Sequence, residues 1–118
     1  MTHKIAIVIY SNIATEPLSR TYRALGFAAE LMAAGDDVAI VFDGGGSETL
    51  ALMLDPAHDL HRDWMRVAGA LRGACRYCAK AYDALDRLKD AGVPLLGEDK
   101  GHASLRALLN EGRQIVTF

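Results

Sequence analysis

Apolar residues recur along this chain in two alternating rhythms. "KIAIVIY" (Lys4 to Tyr10) is an unbroken β-branched run, the pattern of a strand buried on both faces of a sheet. Polar residues Ser11, Asn12 and Thr15 then open a loop, and Pro17 suits a first helical turn. From Leu18 the apolar positions Leu18, Tyr22, Leu25, Ala29 and Met32 step by four and three, which predicts one face of a helix ended by Gly35. "DVAIVF" (Asp37 to Phe42) is a second continuous strand. Strand, helix and strand in this order form a βαβ unit with a right-handed crossover.

The alternation continues with shorter elements. A helix is predicted around Glu48 to Leu54, closed by Pro56, and another carries Leu60, Trp64 and Val67. A third strand is placed at Ala70 to Cys75, although Leu71 also extends the helical stripe and Gly73 weakens a strand. A helix resuming near Tyr77 would put Cys78, Ala81, Leu85 and Leu88 on one face, with Gly92 as its cap. "VPLL" (Val93 to Leu96) reads as a fourth strand, its Pro94 suited to a strand start or a sheet edge. Ala103 to Asn110 reads as a helix and Gln114 to Phe118 as the last strand. The pattern predicts one domain over residues 1–118, an α/β/α sandwich of three layers around a mostly parallel, five-stranded sheet.

Such sheets collect chemistry outside the carboxyl ends of their strands. Four loops qualify: Ser11 to Glu16, Asp43 to Ser47, Cys75 to Cys78, and Gly97 to His102. The third holds both cysteines of the chain, in "RGACRYCAKAYD". A helix starting after Cys75 would favour thiolate at its amino end, with Arg72, Arg76 and Lys80 adding positive charge. Cys75 and Cys78 are therefore the candidate catalytic residues, against the plainer alternative of two small core residues. Ser11, Asn12, Asp43, Gly44, Lys100 and His102 are candidate pocket lining. His102 could partner a thiolate or merely begin the last helix.

Other chemistries fit less well. His58 and His61 would complete a two-thiol, two-imidazole zinc set with the cysteines, but order and spacing match no common zinc module, so no metal is expected. "DGGGS" (Asp43 to Ser47) could cradle phosphate on its backbone N–H groups. It follows the second strand and lacks the phosphate-loop lysine, which favours a turn allowing close backbone approach. A thioredoxin-type dithiol fits poorly, because two βα units precede the pair. No organic cofactor is indicated either.

Composition narrows the partners. With 13 basic residues against 15 acidic ones and no basic run, nothing suggests nucleic-acid binding. The longest apolar run is far below a membrane span, and the amino-terminal stretch is too short for a signal peptide, so a cytoplasmic setting is expected. That setting disfavours a permanent disulfide.

Taken together, "KIAIVIYS", "ALGFAAELMAAGDDVAIVFDGGG", "GACRYCAKAYD" and "SLRALLNEGRQIVTF" resemble the DsrE/DsrF-like family of small sulfur-metabolism proteins, specifically a C-x-x-C subgroup with no assigned reaction. The resemblance implies a five-stranded α/β/α fold and oligomers, often trimers or hexamers. In the sulfur-relay members a cysteine after the third strand carries sulfur as a persulfide, a position that falls on Cys75 here, with Cys78 one turn on. The expected function is thus sulfur transfer or sulfur binding, with a donor or acceptor protein as partner. A non-catalytic oligomeric module binding a small ligand, and a dithiol redox protein, remain the alternatives, so whether the chain is an enzyme stays open.

Overall fold

A computed structural model describes residues 1–118. Five strands form one all-parallel sheet: β1 (Lys4–Ile9), β2 (Asp37–Phe42), β3 (Leu71–Cys75), β4 (Leu95–Leu96) and β5 (Gln114–Thr117). Their spatial order is β4-β3-β2-β1-β5. The two continuous apolar runs became β1 and β2, two of the three interior strands, and Ile5 through Ile9 are buried without a break. This is the expected α/β sandwich, and no helix in it is long and apolar enough to cross a membrane.

The strand order dictates how the helices divide. From β1 to β4 the chain steps in one direction, so right-handed crossovers place their helices on a single face. That face carries α1 (Ser19–Ala33), α2 (Gly46–Met53), α3 (His61–Val67), α4 (Arg76–Ala81) and α5 (Leu85–Asp90). Their apolar residues join Ile5, Ile7, Ile9, Ile40, Phe42 and Ala74 in the main core, where Trp64 meets Phe42 edge to face at 5.3 Å. From β4 the chain returns across the sheet to β5, and the reversal puts α6 (Leu105–Asn110) on the other face. There Ala6, Val8, Val41 and Cys75 are covered by Ala103 and Leu108. One layer is therefore thick and the other is a single short helix with its leading loop.

Three local expectations change. The buried stripe of α1 is Thr21, Ala24, Leu25, Ala28 and Leu31, and Tyr22 is 50% exposed. Small alanines face the sheet because they allow close approach, and the Thr21 hydroxyl is paired with Ser11 Oγ at 2.7 Å. The helix predicted from Tyr77 to Gly92 is broken, because Asp83 takes a left-handed conformation (φ 56°) between α4 and α5. Ala84 and Leu88 then enter the core while Ala81 stays exposed. The fourth strand shortens to Leu95–Leu96, although the Pro94 carbonyl still accepts from Ala74 N at 2.9 Å, at the sheet edge.

Glycines allow two close approaches. A Cβ on Gly46 would lie 1.9 Å from the Ile9 carbonyl oxygen, so α2 starts directly against β1. A Cβ on Gly73 would lie 2.5 Å from the Pro94 oxygen, so β4 could not pair there. The glycine run is thus the close-approach turn. Three of its N–H groups bond within the turn, Gly44 N to Asp43 Oδ1 and Gly46 N and Ser47 N to the carbonyls of Asp43 and Gly44.

A polar network fastens the amino edge of the sheet. Arg72 meets both carboxylate oxygens of Glu111, and Glu111 also accepts from Arg113 Nε at 2.9 Å. Arg113 reaches on to Asp37 Oδ1 at 3.0 Å and the Ile5 carbonyl at 3.3 Å, linking β5, β1 and β2. The two guanidinium groups hold the Glu111 carboxyl down at about 2, from an ordinary 4.5. A depressed carboxylate pKa gives stability that is complete above the ordinary value and lost as pH falls through the folded one. Glu111→Gln should therefore be less stable than wild type at neutral pH in chemical denaturation. The difference should shrink below about 4.5 and vanish near 2. Gly46→Ala should cost about 3 kcal/mol by the same measurement, since backbone must move to admit the methyl group.

Candidate functional site

Cys75 is the last residue of β3 and the N-cap of α4, where its Sγ accepts from Cys78 N at 3.5 Å. The side it faces is decided by a register break. β3 pairs Leu71 with Ile40 but Gly73 with Val41, so Arg72 is an extra residue in the strand. Beyond the bulge, Ala74 points into the main core and Cys75 points to the thin-layer side. Cys78, one helical turn on, lies beside it and is only partly buried.

The return connection between β4 and α6 supplies the third group. Its loop closes on itself through paired hydrogen bonds between Asp99 and His102, and Gly101 O accepts from Tyr77 N at 3.0 Å. His102 Nδ1 then stands 3.5 Å from Cys75 Sγ and 4.0 Å from Cys78 Sγ. The Tyr77 ring packs on the imidazole at a centroid distance of 4.3 Å and an angle of 31°. The fourth member is Asp43, just past β2. Its Oδ1 accepts from the Cys78 thiol at 3.5 Å and from Gly44 N at 2.8 Å, which orients the carboxylate.

Two thiols, an imidazole and a carboxylate thus meet at the carboxyl edge of β2 and β3. Burial, a hydrogen bond to Cys75 and the nearby Asp43 carboxylate push the Cys78 thiol up to about 12. Burial and the Asp43 charge raise the Tyr10 phenol as well. Near neutral pH, Cys78 is accordingly a hydrogen-bond donor. Access also runs against the sequence-based expectation, because Cys75 is 0% exposed and the outer thiol is Cys78.

The remaining candidates divide cleanly. Asp43 and His102 belong to the site, and Gly44 supports Asp43 through its N–H. His102 therefore does more than begin a helix; the N-cap of α6 is Ser104, whose Oγ accepts from Ala107 N at 3.1 Å. Ser11 and Asn12 serve the fold instead. Ser11 pairs with Thr21 and offers its carbonyl to Thr49, while Asn12 Nδ2 donates to Glu48 at 2.9 Å. Lys100 lines a neighbouring cavity of about 800 Å³ with Arg76, Lys80 and Lys89, which contains no acidic residue. His58 and His61 sit away from the thiols. His58 Nδ1 accepts from Leu60 N, and His61 Nδ1 is 2.8 Å from the Met53 carbonyl. Tyr77 and Tyr10 were missed by sequence reasoning. For Tyr10 a signal existed: it follows β1 as Asp43 follows β2, and those strands are parallel neighbours.

No protein-family description, curated protein or solved structure gives a match to this chain. The chemistry of the site therefore rests on its own geometry.

Alkylation of the reduced protein near neutral pH, mapped by mass spectrometry, checks that geometry. Cys78 should react about 100-fold or more slowly than a cysteine of the unfolded chain, whose pKa is about 8.5. Cys75 should stay unmodified until denaturant is added, and Asp43→Asn should speed reaction at Cys78. Modification of native Cys75 ahead of Cys78 would contradict the order of access.

Proposed function

We propose that this protein is a DsrE/DsrF-like carrier of sulfane sulfur, with Cys78 as the sulfur that is loaded and Cys75 as its buried partner. The observation that carries the reading is the meeting of two free thiols with an imidazole at the carboxyl edge of a parallel sheet. Resemblance alone would assign the persulfide to Cys75. Exposure moves the assignment to Cys78, the sulfur a donor can reach.

The step needs no external oxidant or reductant. In the tautomer with its proton on Nε2, His102 accepts the Cys78 proton at Nδ1. The Cys78 sulfur attacks the outer sulfur of a hydropersulfide, R–S–SH. A new S–S bond forms on Cys78, the bond between the donor's two sulfurs breaks, and RS⁻ leaves and takes the proton from the imidazolium. The pKa of Cys78 makes this base necessary. Delivery is the same exchange directed at an acceptor thiol.

Partners follow from the surroundings. The cavity holding Arg76, Lys80, Lys89 and Lys100 adjoins the site through Tyr77 and suits an acidic face on a donor or acceptor protein. The single-helix layer leaves Ile115, Leu96 and Leu105 only partly buried, and further copies of the chain in a trimer or hexamer would cover them. Two unpaired cysteines suit a reducing compartment such as the cytoplasm.

The test is to expose the reduced protein to a low-molecular-weight hydropersulfide and map labelled persulfide by mass. One added sulfur atom is expected on Cys78, lost in Cys78→Ser and slowed at least about 100-fold in His102→Ala. Added sulfur on Cys75 alone would overturn the assignment to Cys78. A Cys75–Cys78 disulfide without added sulfur would replace carriage with dithiol redox. No change at either thiol would leave the non-catalytic binding module.

A further inference from the structure

We infer that Cys75, Cys78 and His102 form a binding site for a borderline-soft divalent cation of the zinc class, with its fourth position facing Asp43. Their ligating atoms, two Sγ and one Nδ1, all lie within 4.8 Å of one another. The inference goes beyond sulfur carriage and stands independently of it.

The distances carry the argument. Zinc bonds of about 2.3 Å to sulfur and about 2.0–2.2 Å to nitrogen or oxygen, arranged tetrahedrally, require S···N and S···O edges of about 3.5 Å. Cys75 Sγ to His102 Nδ1 is 3.5 Å, while Asp43 Oδ1, 3.5 Å from Cys78 Sγ, lies outside the trio whose ligand atoms are all within 4.8 Å of one another. Cys78 Sγ to His102 Nδ1 is 4.0 Å, about half an ångström long. A small turn of the Cys78 side chain would close it. Two edges of a zinc tetrahedron therefore stand close to their final lengths before any ion is considered.

The supports around the ligands point the same way. The Cys78 N–H aimed at Cys75 Sγ would offset the charge of a metal-bound thiolate. Tyr77 fixes the plane of the imidazole, and Gly44 N fixes the carboxylate. Beside the site lies a cavity of about 580 Å³ whose lining includes His102, three carboxylates (Asp43, Glu98 and Asp99) and one guanidinium, Arg106. Carboxylates in excess at that mouth attract cations and repel anions. The set is two thiols and one imidazole with a fourth position next to a cavity, which is the ligand pattern of zinc sites that retain an exchangeable ligand.

Titration of the reduced full-length protein with cobalt(II), followed by absorption, tests the site. One cobalt per chain is expected, with sulfur-to-cobalt charge-transfer absorption in the near ultraviolet and intense tetrahedral bands in the visible. One equivalent of zinc should bleach both. Cys75→Ser and Cys78→Ser should each remove or sharply reduce the charge-transfer absorption. His102→Ala should weaken cobalt binding at least about 10-fold while retaining that absorption. His58→Ala with His61→Ala should match wild type. Circular dichroism identifies any variant that has lost its fold, and the partly exposed Cys78 and His102 variants keep the test decisive if Cys75→Ser unfolds. Wild-type protein without charge-transfer absorption would overturn the site, as would absorption that survives in both cysteine variants. Failure here with persulfide still formed on Cys78 rejects the metal alone, and the reverse pattern rejects sulfur carriage alone.

Discussion

The extra residue in β3 is the constraint on which the site depends. Side chains alternate strictly across a strand, so one inserted residue exchanges the faces of everything beyond it. Pairing in the register set by Leu71 and Ile40 would have turned Cys75 into the main core, among Ile7, Phe42 and Trp64. The bulge at Arg72 sends Cys75 to the side where the return connection passes, and only there does His102 lie within reach. Gly73 contributes by leaving room for β4 at the same place. Arg72, displaced by the bulge, becomes the group that grips Glu111.

The two edges of the sheet divide the labour. At the amino edge, Arg72, Glu111, Arg113 and Asp37 bind strands to one another with charge. At the carboxyl edge, the polar groups of Asp43, Cys78 and His102 converge instead of fastening strands. The stretches contributing to that edge lie far apart in sequence, and the parallel sheet alone brings them together. A site of this kind inherits the rigidity of the strands and the variability of the loops that follow them.

How far the sequence revealed this depended on what each signal encodes. β1 and β2 were legible because a strand buried on both faces leaves a continuous apolar run. β3 was legible only as a gap in the alternation, since "LRGAC" carries one large apolar residue and a glycine. The face of α1 was misjudged because hydrophobicity points to Tyr22 and Met32, while close packing selected Ala24 and Ala28. Cys75 and Cys78 stood out by rarity. His102 could be noted but not placed, because its position follows from the strand order, which no local pattern contains. Tyr77 was invisible for the same reason, its partner being brought in by the return connection.

The thin layer also bears on how the protein folds. The loop and helix that shield Cys75 follow it in sequence, and β5 pairs beside β1, the first strand in chain order. Until the return connection and α6 dock on the sheet, nothing covers the thiols at the junction of β3 and α4. For that interval both sulfurs are open to oxidation and mispairing. The completed fold withdraws Cys75 and leaves only Cys78 in partial view. The difference in exposure between the two thiols therefore depends on the docking of a segment that follows both of them in the chain.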